Sequence, residues 1–143
     1  MKNLLDKLNY KRQTRIAVIN TEETSELIKS PELKDIRIDT EIDQRYPYEF
    51  MIFFVRSVSD VKKFTPIALH NLSVNGILWF CYPKKSSKKY RSDIDSDHGW
   101  KALNDSGFYG IRMVAIDDDW SAMRLRNIKY IKSISGRYPV RRD

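Results

Sequence analysis

Three stretches of the chain are apolar at almost every position, and polar residues follow each of them. Residues 15–20, 50–55 and 77–82 read RIAVIN, FMIFFV and ILWFCY. A strand that faces water on one side alternates apolar and polar residues, whereas a strand buried on both faces is apolar throughout. These stretches therefore predict the central strands of a parallel sheet that other elements cover on both faces.

Helical signals lie between the predicted strands. The predicted helices span residues 21–28, 58–72 and 94–105. Pro31 ends the first helix, Asn75-Gly76 is the expected C-terminal cap of the second, and Gly107 closes the third. Pro66 predicts a kink or a break within the second helix, because proline lacks the N–H of the helical hydrogen bond.

The remaining segments complete a three-layer α/β fold. Residues 35–40 (DIRIDT) alternate as an edge strand does, and residues 111–116 and 120–128 flank the tight turn of three aspartates at 117–119. So short a connection requires that this last pair be antiparallel. We therefore predict a Rossmann-like, doubly wound sheet of about six strands, mostly parallel, with a terminal antiparallel β-hairpin. Residues 1–143 form one domain, with a core at about 15–128, an N-terminal arm at 1–14 and a basic C-terminal tail at 129–143.

Composition narrows the class of protein. Apolar residues make up 41% of the chain, and no apolar run approaches the ~20 residues that span a bilayer. Asp6 interrupts the first apolar residues too early for a signal peptide. The one cysteine, Cys81, lies within an apolar strand and is expected to be a buried, inert thiol. We expect a cytoplasmic protein without a membrane partner.

The formal net charge of +7 is unevenly distributed. Two groups of basic residues carry the excess: Lys84, Lys85, Lys88, Lys89 and Arg91, and then Arg124, Arg126, Lys129, Lys132, Arg137, Arg141 and Arg142. Such groups attract phosphate by counterion release, so weak nucleic-acid binding is one interpretation. A solvated surface that keeps the protein dissolved is the simpler one, since no nucleic-acid motif accompanies the charge.

Several stretches resemble an uncharacterised bacterial domain family with a core like that of class I methyltransferases. These stretches are residues 78–87 (LWFCYPKKSS), 92–94 (SDI), 99–100 (GW) and 115–124 (AIDDDWSAMR). The resemblance covers about residues 15–126 and includes the order of strands and helices that ends in an antiparallel pair. It implies a fold and no established activity.

The resemblance to methyltransferases implies S-adenosylmethionine as a candidate cofactor, but the residues that follow the first strand argue against it. Glycines after the first strand let the backbone approach that ligand, yet residues 20–24 contain none and carry Glu22 and Glu23. Asp39 or Glu41 lies where an acid would hold ribose hydroxyls, although either can be an ordinary loop acid. We expect no cofactor and keep a divergent methyltransferase as the alternative function.

The carboxyl ends of the predicted strands are the expected ligand site, since ligands of doubly wound sheets bind there. The candidate ligand-binding residues are Arg56, Tyr82, Lys84, Lys85, Ser86, Asp117 and Trp120. The cations and the Ser86 hydroxyl suit a small anion or nucleotide, and Trp120 offers a stacking surface. Equally, the aromatic rings can pack in the core and the aspartates can only shape the hairpin. The sequence shows no catalytic residues, so a non-catalytic binding protein is the preferred function.

Metal binding, hydrolysis and protein interaction are the remaining interpretations. Asp93, Asp95 and Asp97 copy the opening of a calcium loop, but His98 and Asn104 stand where glycine and glutamate are required, so we predict no metal site. His70 is expected on a helix surface, and no hydrolase triad is supported. A protein-interaction module or a homodimer, formed through an edge strand, is the third class of function.

Overall fold

A six-stranded sheet organises the computed structural model, which describes residues 3–21, 27 and 29–131. The strands are β1 (Arg15–Ile19), β2 (Arg37–Asp39), β3 (Tyr48–Phe54), β4 (Leu72–Pro83), β5 (Phe108–Ala115) and β6 (Trp120–Asn127). The described α-helices are α1 (Leu4–Lys7), α2 (Val58–Asn71) and α3 (Lys101–Asp105), and short 3₁₀ turns span Pro31–Leu33 and Ile128–Tyr130.

The strand order across the sheet is β2-β1-β3-β4-β6-β5. Strands β2, β1, β3 and β4 pair in parallel, and β6 runs antiparallel to both of its neighbours, β4 and β5. The terminal hairpin therefore inserts its second strand between β4 and β5, and β6 is the one reversed strand of this sheet. The prediction of a mostly parallel α/β sheet with a terminal antiparallel hairpin is confirmed, and residues 35–40 do contain an edge strand.

Alternate residues of the apolar strands fill two cores, one on each face of the sheet. Met51 and Phe53 of β3 belong to the core beneath α2 and α3, whereas Phe50 and Ile52 belong to the core on the opposite face. All four side chains are fully buried. A strand that contributes to two cores cannot alternate with polar residues, which is why FMIFFV reads as an unbroken apolar run.

The N-terminal segment packs against the second core. Leu5 and Leu8 are buried there, and the indole Nε1 of Trp79 on β4 donates a 2.7 Å hydrogen bond to the carbonyl of Leu8. A buried indole N–H needs such an acceptor, so this bond fixes the segment to the centre of the sheet. The division of the chain into arm, core and tail stays a prediction.

The end of α2 differs from the expectation. The helix continues through Pro66 and ends at Asn71, whose side-chain amide donates to the carbonyls of Asp43 and Tyr46. Asn75-Gly76 is not its cap. These residues lie inside β4, where the pairing with β3 shifts register, and Asn75 takes a left-handed φ of 53°. Asn-Gly signals a bulge here, because both residues tolerate conformations that a regular strand excludes.

The predicted helix at residues 94–105 is helical only at its end, in α3. Asp95 prevents an earlier start, because its carboxylate accepts a hydrogen bond from the amide of Asp97 and its backbone exchanges hydrogen bonds with His98. Aspartate often competes with helix formation through such local bonds. Gly107 follows α3 with a left-handed φ of 86°, so this closing signal is confirmed.

Several expectations concern single residues or residues outside the described part of the chain. The predicted helix at 21–28 and the end of the basic tail lie largely outside the described residues. Cys81 is buried and unpaired, and burial raises the pKa of its thiol, as an inert core cysteine requires. Across residues 3–21, 27 and 29–131, no helix combines the length and apolar character needed to span a bilayer.

Candidate functional site

The loops at the carboxyl ends of β4 and β5 are tied together by hydrogen bonds. The backbone amide of Lys84 donates to the carbonyl of Asp119, 2.8 Å away, and the hydroxyl of Ser87 donates to the Asp119 carboxylate at 2.8 Å. Ser87 also accepts hydrogen bonds from the amides of Lys89 and Tyr90. The loop after β4, residues 84–90, and the β5–β6 turn, residues 116–119, therefore form one continuous surface, which we call the rim.

The predicted site residues divide between the two sides of this rim. Tyr82 belongs to the core beneath α2 and α3, whereas Trp120 belongs to the opposite core. The register of the two strands pairs Tyr82 with Ser121 and Pro83 with Trp120, so consecutive pairs point to opposite faces. The seven residues stay candidates for ligand binding, and the sequence does not show that the sheet separates Tyr82 from Trp120.

Arg56 and Trp120 lie together on one side, with Tyr90 between them. The guanidinium of Arg56 lies 4.9 Å from the centre of the Tyr90 ring and 5.9 Å from that of Trp120. Trp120 is 7% exposed and packs edge-on against Phe54 at 5.1 Å, so it offers a ligand little stacking surface. Tyr90, which is half-buried, is the aromatic ring that reaches the rim surface.

Asp117 shapes the hairpin turn. One of its carboxylate oxygens accepts hydrogen bonds from the amides of Asp119 and Trp120, each 2.8 Å long. These bonds fix the tight reversal between β5 and β6, which is the ordinary use of aspartate at the start of a turn. The ligand-binding role suggested for Asp117 stays a prediction, and its described contacts are those of a turn residue.

Tyr82, Lys85 and Ser86 line a cleft of about 460 Å³ beside the β5–β6 hairpin. Asp95 balances the cations in it, since its carboxylate lies 3.1 Å from the Lys85 ammonium and 2.9 Å from Nδ1 of His98. Burial alone would raise the pKa of Asp95, but the Asp97 amide, His98 and Lys85 together hold it at about 2. This first cleft is therefore close to neutral and is a poor anion site.

A second cleft of about 420 Å³ lies within the loop that follows β4, and we call it the loop cleft. Its lining residues are Pro83, Lys84, Lys85, Ser87, Tyr90, Arg91, Ser92 and Ile94. Three of them are cations and none is a carboxylate. Lys85 is paired with Asp95, whereas neither Lys84 nor Arg91 forms an ion pair within the part of the chain that the structure describes. The loop cleft has the size and the charge of a site for a small anion.

Arg91 and Tyr90 were not among the predicted ligand-binding residues. Arg91 belongs to a basic group that is visible in the sequence, but nothing there shows that this exposed residue lines the same cleft as Lys84. Tyr90 is a single aromatic residue in a polar loop, with no periodic pattern to mark it. Only the folded loop brings these residues to one cleft.

The switch point of the sheet, where a cofactor of this fold would bind, lies between β1 and β3. Leu27 and Leu33, which follow β1, belong to one core, whereas α2, which follows β3, packs on the other. Asn20 follows β1 with a left-handed φ of 63°, a conformation that favours glycine, and its amide donates to the carbonyl of Phe54 at 2.9 Å. This side chain therefore bridges the two strand ends, where a cofactor needs open backbone. Residues 22–26, which follow Asn20, lie outside the described part of the chain, so the expectation that no cofactor binds stays a prediction.

Asp39 is not a free acid at the end of β2. Its carboxylate contacts Nε of Arg15 at 2.8 Å and Nε of Arg37 at 2.9 Å, and it accepts a hydrogen bond from the Tyr48 hydroxyl. Burial alone would raise the pKa of Asp39, but the bonds from Tyr48 and the two arginines outweigh burial and lower it. Its oxygens are occupied, so Asp39 is not available for ribose hydroxyls.

The aspartates that copy a calcium loop have other partners. Asp93 accepts a 2.8 Å hydrogen bond from the amide of Val58 at the start of α2, and Asp95 binds Lys85 and His98. No group of three or more metal-ligating side chains forms a site anywhere in residues 3–21, 27 and 29–131. His70 lies exposed in the last turn of α2.

Comparison with known proteins supports the fold class. No protein-family model matches the sequence, and no curated protein matches it. A chain in a crystal structure of a fibrillarin/Nop5p complex is similar in structure, with a TM-score of 0.51 and 9% identity over 83% of this chain and 75% of that chain. A proposed type 11 methyltransferase from Sulfolobus solfataricus is also similar in structure, with a TM-score of 0.51 and 10% identity. The match covers 96% of this chain and 95% of that chain. At such identity the likeness concerns the fold alone: the chain has a methyltransferase-like α/β fold.

Proposed function

We propose that this protein binds a small phosphorylated or nucleotide-like anion in the loop cleft and performs no chemistry on it. The observation that carries the proposal is the lining of the cleft, which has three cations and no carboxylate. Lys85 is paired with Asp95 from outside the cleft, whereas Lys84 and Arg91 have no ion-pair partner among the described residues. Unpaired cations at a concave surface favour an anion, because charge-assisted hydrogen bonds to phosphate are among the strongest that side chains make.

The contacts within the loop support a preformed site. Ser87 holds the backbone at Lys89 and Tyr90, and Asp119 holds Ser87, so the loop does not need to rearrange before binding. Tyr90 adds an aromatic ring to the lining, and Arg56 and Lys89 place cations 4.9 and 5.2 Å from its centre. The lining has neither an imidazole nor a carboxylate to act as a general base, which supports binding without catalysis.

Methyl transfer is the second candidate function, favoured by the fold of the chain and of its structural neighbours. The bridging Asn20 and the occupied Asp39 count against it. S-adenosylhomocysteine is the discriminating probe, since it binds a methyltransferase cofactor site without turnover. Membership of the uncharacterised bacterial family, a cytoplasmic location and the protein-interaction alternative stay predictions.

Thermal unfolding with a set of nucleotides, inorganic pyrophosphate and S-adenosylhomocysteine tests both candidates. A ligand at 100 times its Kd adds about 2.7 kcal/mol to the free energy of unfolding, which raises Tm by several degrees. We expect a shift with a nucleotide or with pyrophosphate that is lost in the Lys84→Ala/Arg91→Gln variant. Lys88→Gln is the matched control, because Lys88 is exposed in the same loop and does not line the cleft.

Three outcomes would contradict the proposal. Equal shifts in the double variant and in wild type would place the ligand outside the loop cleft. A shift with S-adenosylhomocysteine alone would replace the proposal with methyl transfer. Absence of any shift would favour the protein-interaction alternative.

A further inference from the structure

Three arginines form a row across the two strands of the terminal hairpin. Arg112 lies on β5, Arg124 and Arg126 lie on β6, and Arg112 pairs directly with Arg124 in the strand register. They alternate with Met123 and Leu125, which belong to the core beneath α2 and α3, so the three arginines lie on the opposite face. We call this set the arginine row.

The arginine row has no acidic partner within the described residues. Arg124 donates to the side-chain oxygen of Asn9 at 3.2 Å, and Arg126 donates to that of Asn75 at 3.0 Å. No described carboxylate lies within ion-pair distance of any of the three guanidinium groups. Like charges directly opposite on neighbouring strands destabilise a sheet, so this arrangement needs a separate reason.

Arg124 lacks a hydrogen-bond partner for one of its buried nitrogens. Its Nε is buried and has no hydrogen-bond acceptor among the described atoms. Burial first, and then the charges of Arg126 and Arg112, lower the pKa of Arg124 to about 10. An oxyanion placed between Arg112 and Arg124 would supply the missing negative charge and relieve the repulsion.

We propose that the arginine row binds successive phosphates of a nucleic-acid strand laid along the terminal hairpin, on the face of the second core and beside the N-terminal segment. Residues two apart on a strand are about 6.7 Å apart, and neighbouring phosphates of an extended nucleic-acid strand have a comparable separation. The row is open to such a strand, since Arg112 is exposed and the other two arginines are half-buried. The positive net charge of the chain, +7, favours the approach of a polyanion.

The test measures binding of a labelled oligonucleotide of about 16 nucleotides, single-stranded and as a duplex, by fluorescence anisotropy. Salt is raised from about 50 mM to about 200 mM, because each phosphate contact adds about 0.7–0.9 to the slope of log affinity against log salt. The Arg112→Gln/Arg126→Gln variant keeps the buried Arg124, and its melting curve checks that it folds. Lys62→Gln/Lys63→Gln removes the same charge from exposed positions on α2, across the sheet.

We expect the arginine double variant to bind more weakly and to lose about 1.4–1.8 from the salt slope. The lysine variant should keep the wild-type slope, and so should Lys84→Ala/Arg91→Gln, which separates this surface from the loop cleft. No binding at the lowest salt, or equal slopes in the arginine and lysine variants, would overturn the proposal. It would also be overturned if inorganic phosphate alone stabilised the wild type through the arginine row while the oligonucleotide did not bind.

Discussion

Replacing Arg124 with methionine tests whether this side chain is unfavourable in the protein without a ligand. Burial and the two neighbouring arginines lower the pKa of Arg124 from 12.5 to about 10. Since one pKa unit corresponds to about 1.4 kcal/mol, the charged form costs the folded state at most about 3.5 kcal/mol. Solvent screening of a group that is only partly buried reduces this cost to about 1–2 kcal/mol.

Methionine keeps the aliphatic part of the side chain beside Trp79, its partner in the strand register, and removes the charge and the unpaired Nε. The lost hydrogen bond to Asn9 offsets part of the gain, so we expect Arg124→Met to raise the free energy of unfolding by about 1 kcal/mol. Replacing a buried charged group with an apolar one of similar volume is often neutral or stabilising.

Urea unfolding at pH 7, in a chloride buffer without phosphate, measures the difference. Arg45→Met is the control, because Arg45 is exposed and a surface substitution of this kind changes stability by less than about 0.5 kcal/mol. Phosphate added to the buffer should stabilise wild type, because an oxyanion can pair with Arg124. The difference in free energy of unfolding between Arg124→Met and wild type should therefore become smaller. If Arg124→Met is less stable than wild type by more than about 1 kcal/mol, the guanidinium is well satisfied and the reasoning fails.

Three further predictions concern the fold. Asp39→Asn should lower the free energy of unfolding by about 3 kcal/mol, because it breaks a mostly buried ion-pair network. Arg37→Gln is the control and should lower it by less than about 1 kcal/mol, because the Arg37 side chain is 66% exposed. Equal losses in the two variants would contradict this prediction. Because the pKa of Asp95 is lowered to about 2, its ion pairs stabilise the fold above pH 3.8 and are lost as the pH falls towards 2. The free energies of unfolding of wild type and Asp95→Asn, measured in urea at a series of pH values, should therefore converge between pH 3.8 and 2. Above pH 3.8 the difference between them should stay constant. Trp79→Phe leaves the Leu8 carbonyl without its 2.7 Å donor, so it should cost about 2–3 kcal/mol and speed proteolysis after α1; unchanged cleavage would contradict this.

The strands could be predicted because burial on two faces leaves a direct mark on the sequence. Residues 50–55 supply alternate side chains to both cores, so their apolar run identifies a central strand without further information. The antiparallel hairpin followed from chain length alone, since three aspartates leave no room for a crossover. Local signals were less reliable where side chains form bonds with nearby backbone: Asn75-Gly76 forms a bulge, and Asp95 delays the start of α3.

The sequence by itself determined the α/β class, the mostly parallel sheet and the general position of a cationic rim, because these depend on periodicity and on the strand ends. Only the tertiary structure decided which rim residues meet. It separates Tyr82 from Trp120 across the sheet, and it brings Arg91 to Lys84 in the loop cleft. It also shows that Arg112 and Arg124, which pair across the hairpin, have no acidic partner among the described residues. Such neighbours depend on strand register and loop closure, which are long-range properties that no local pattern of residues encodes.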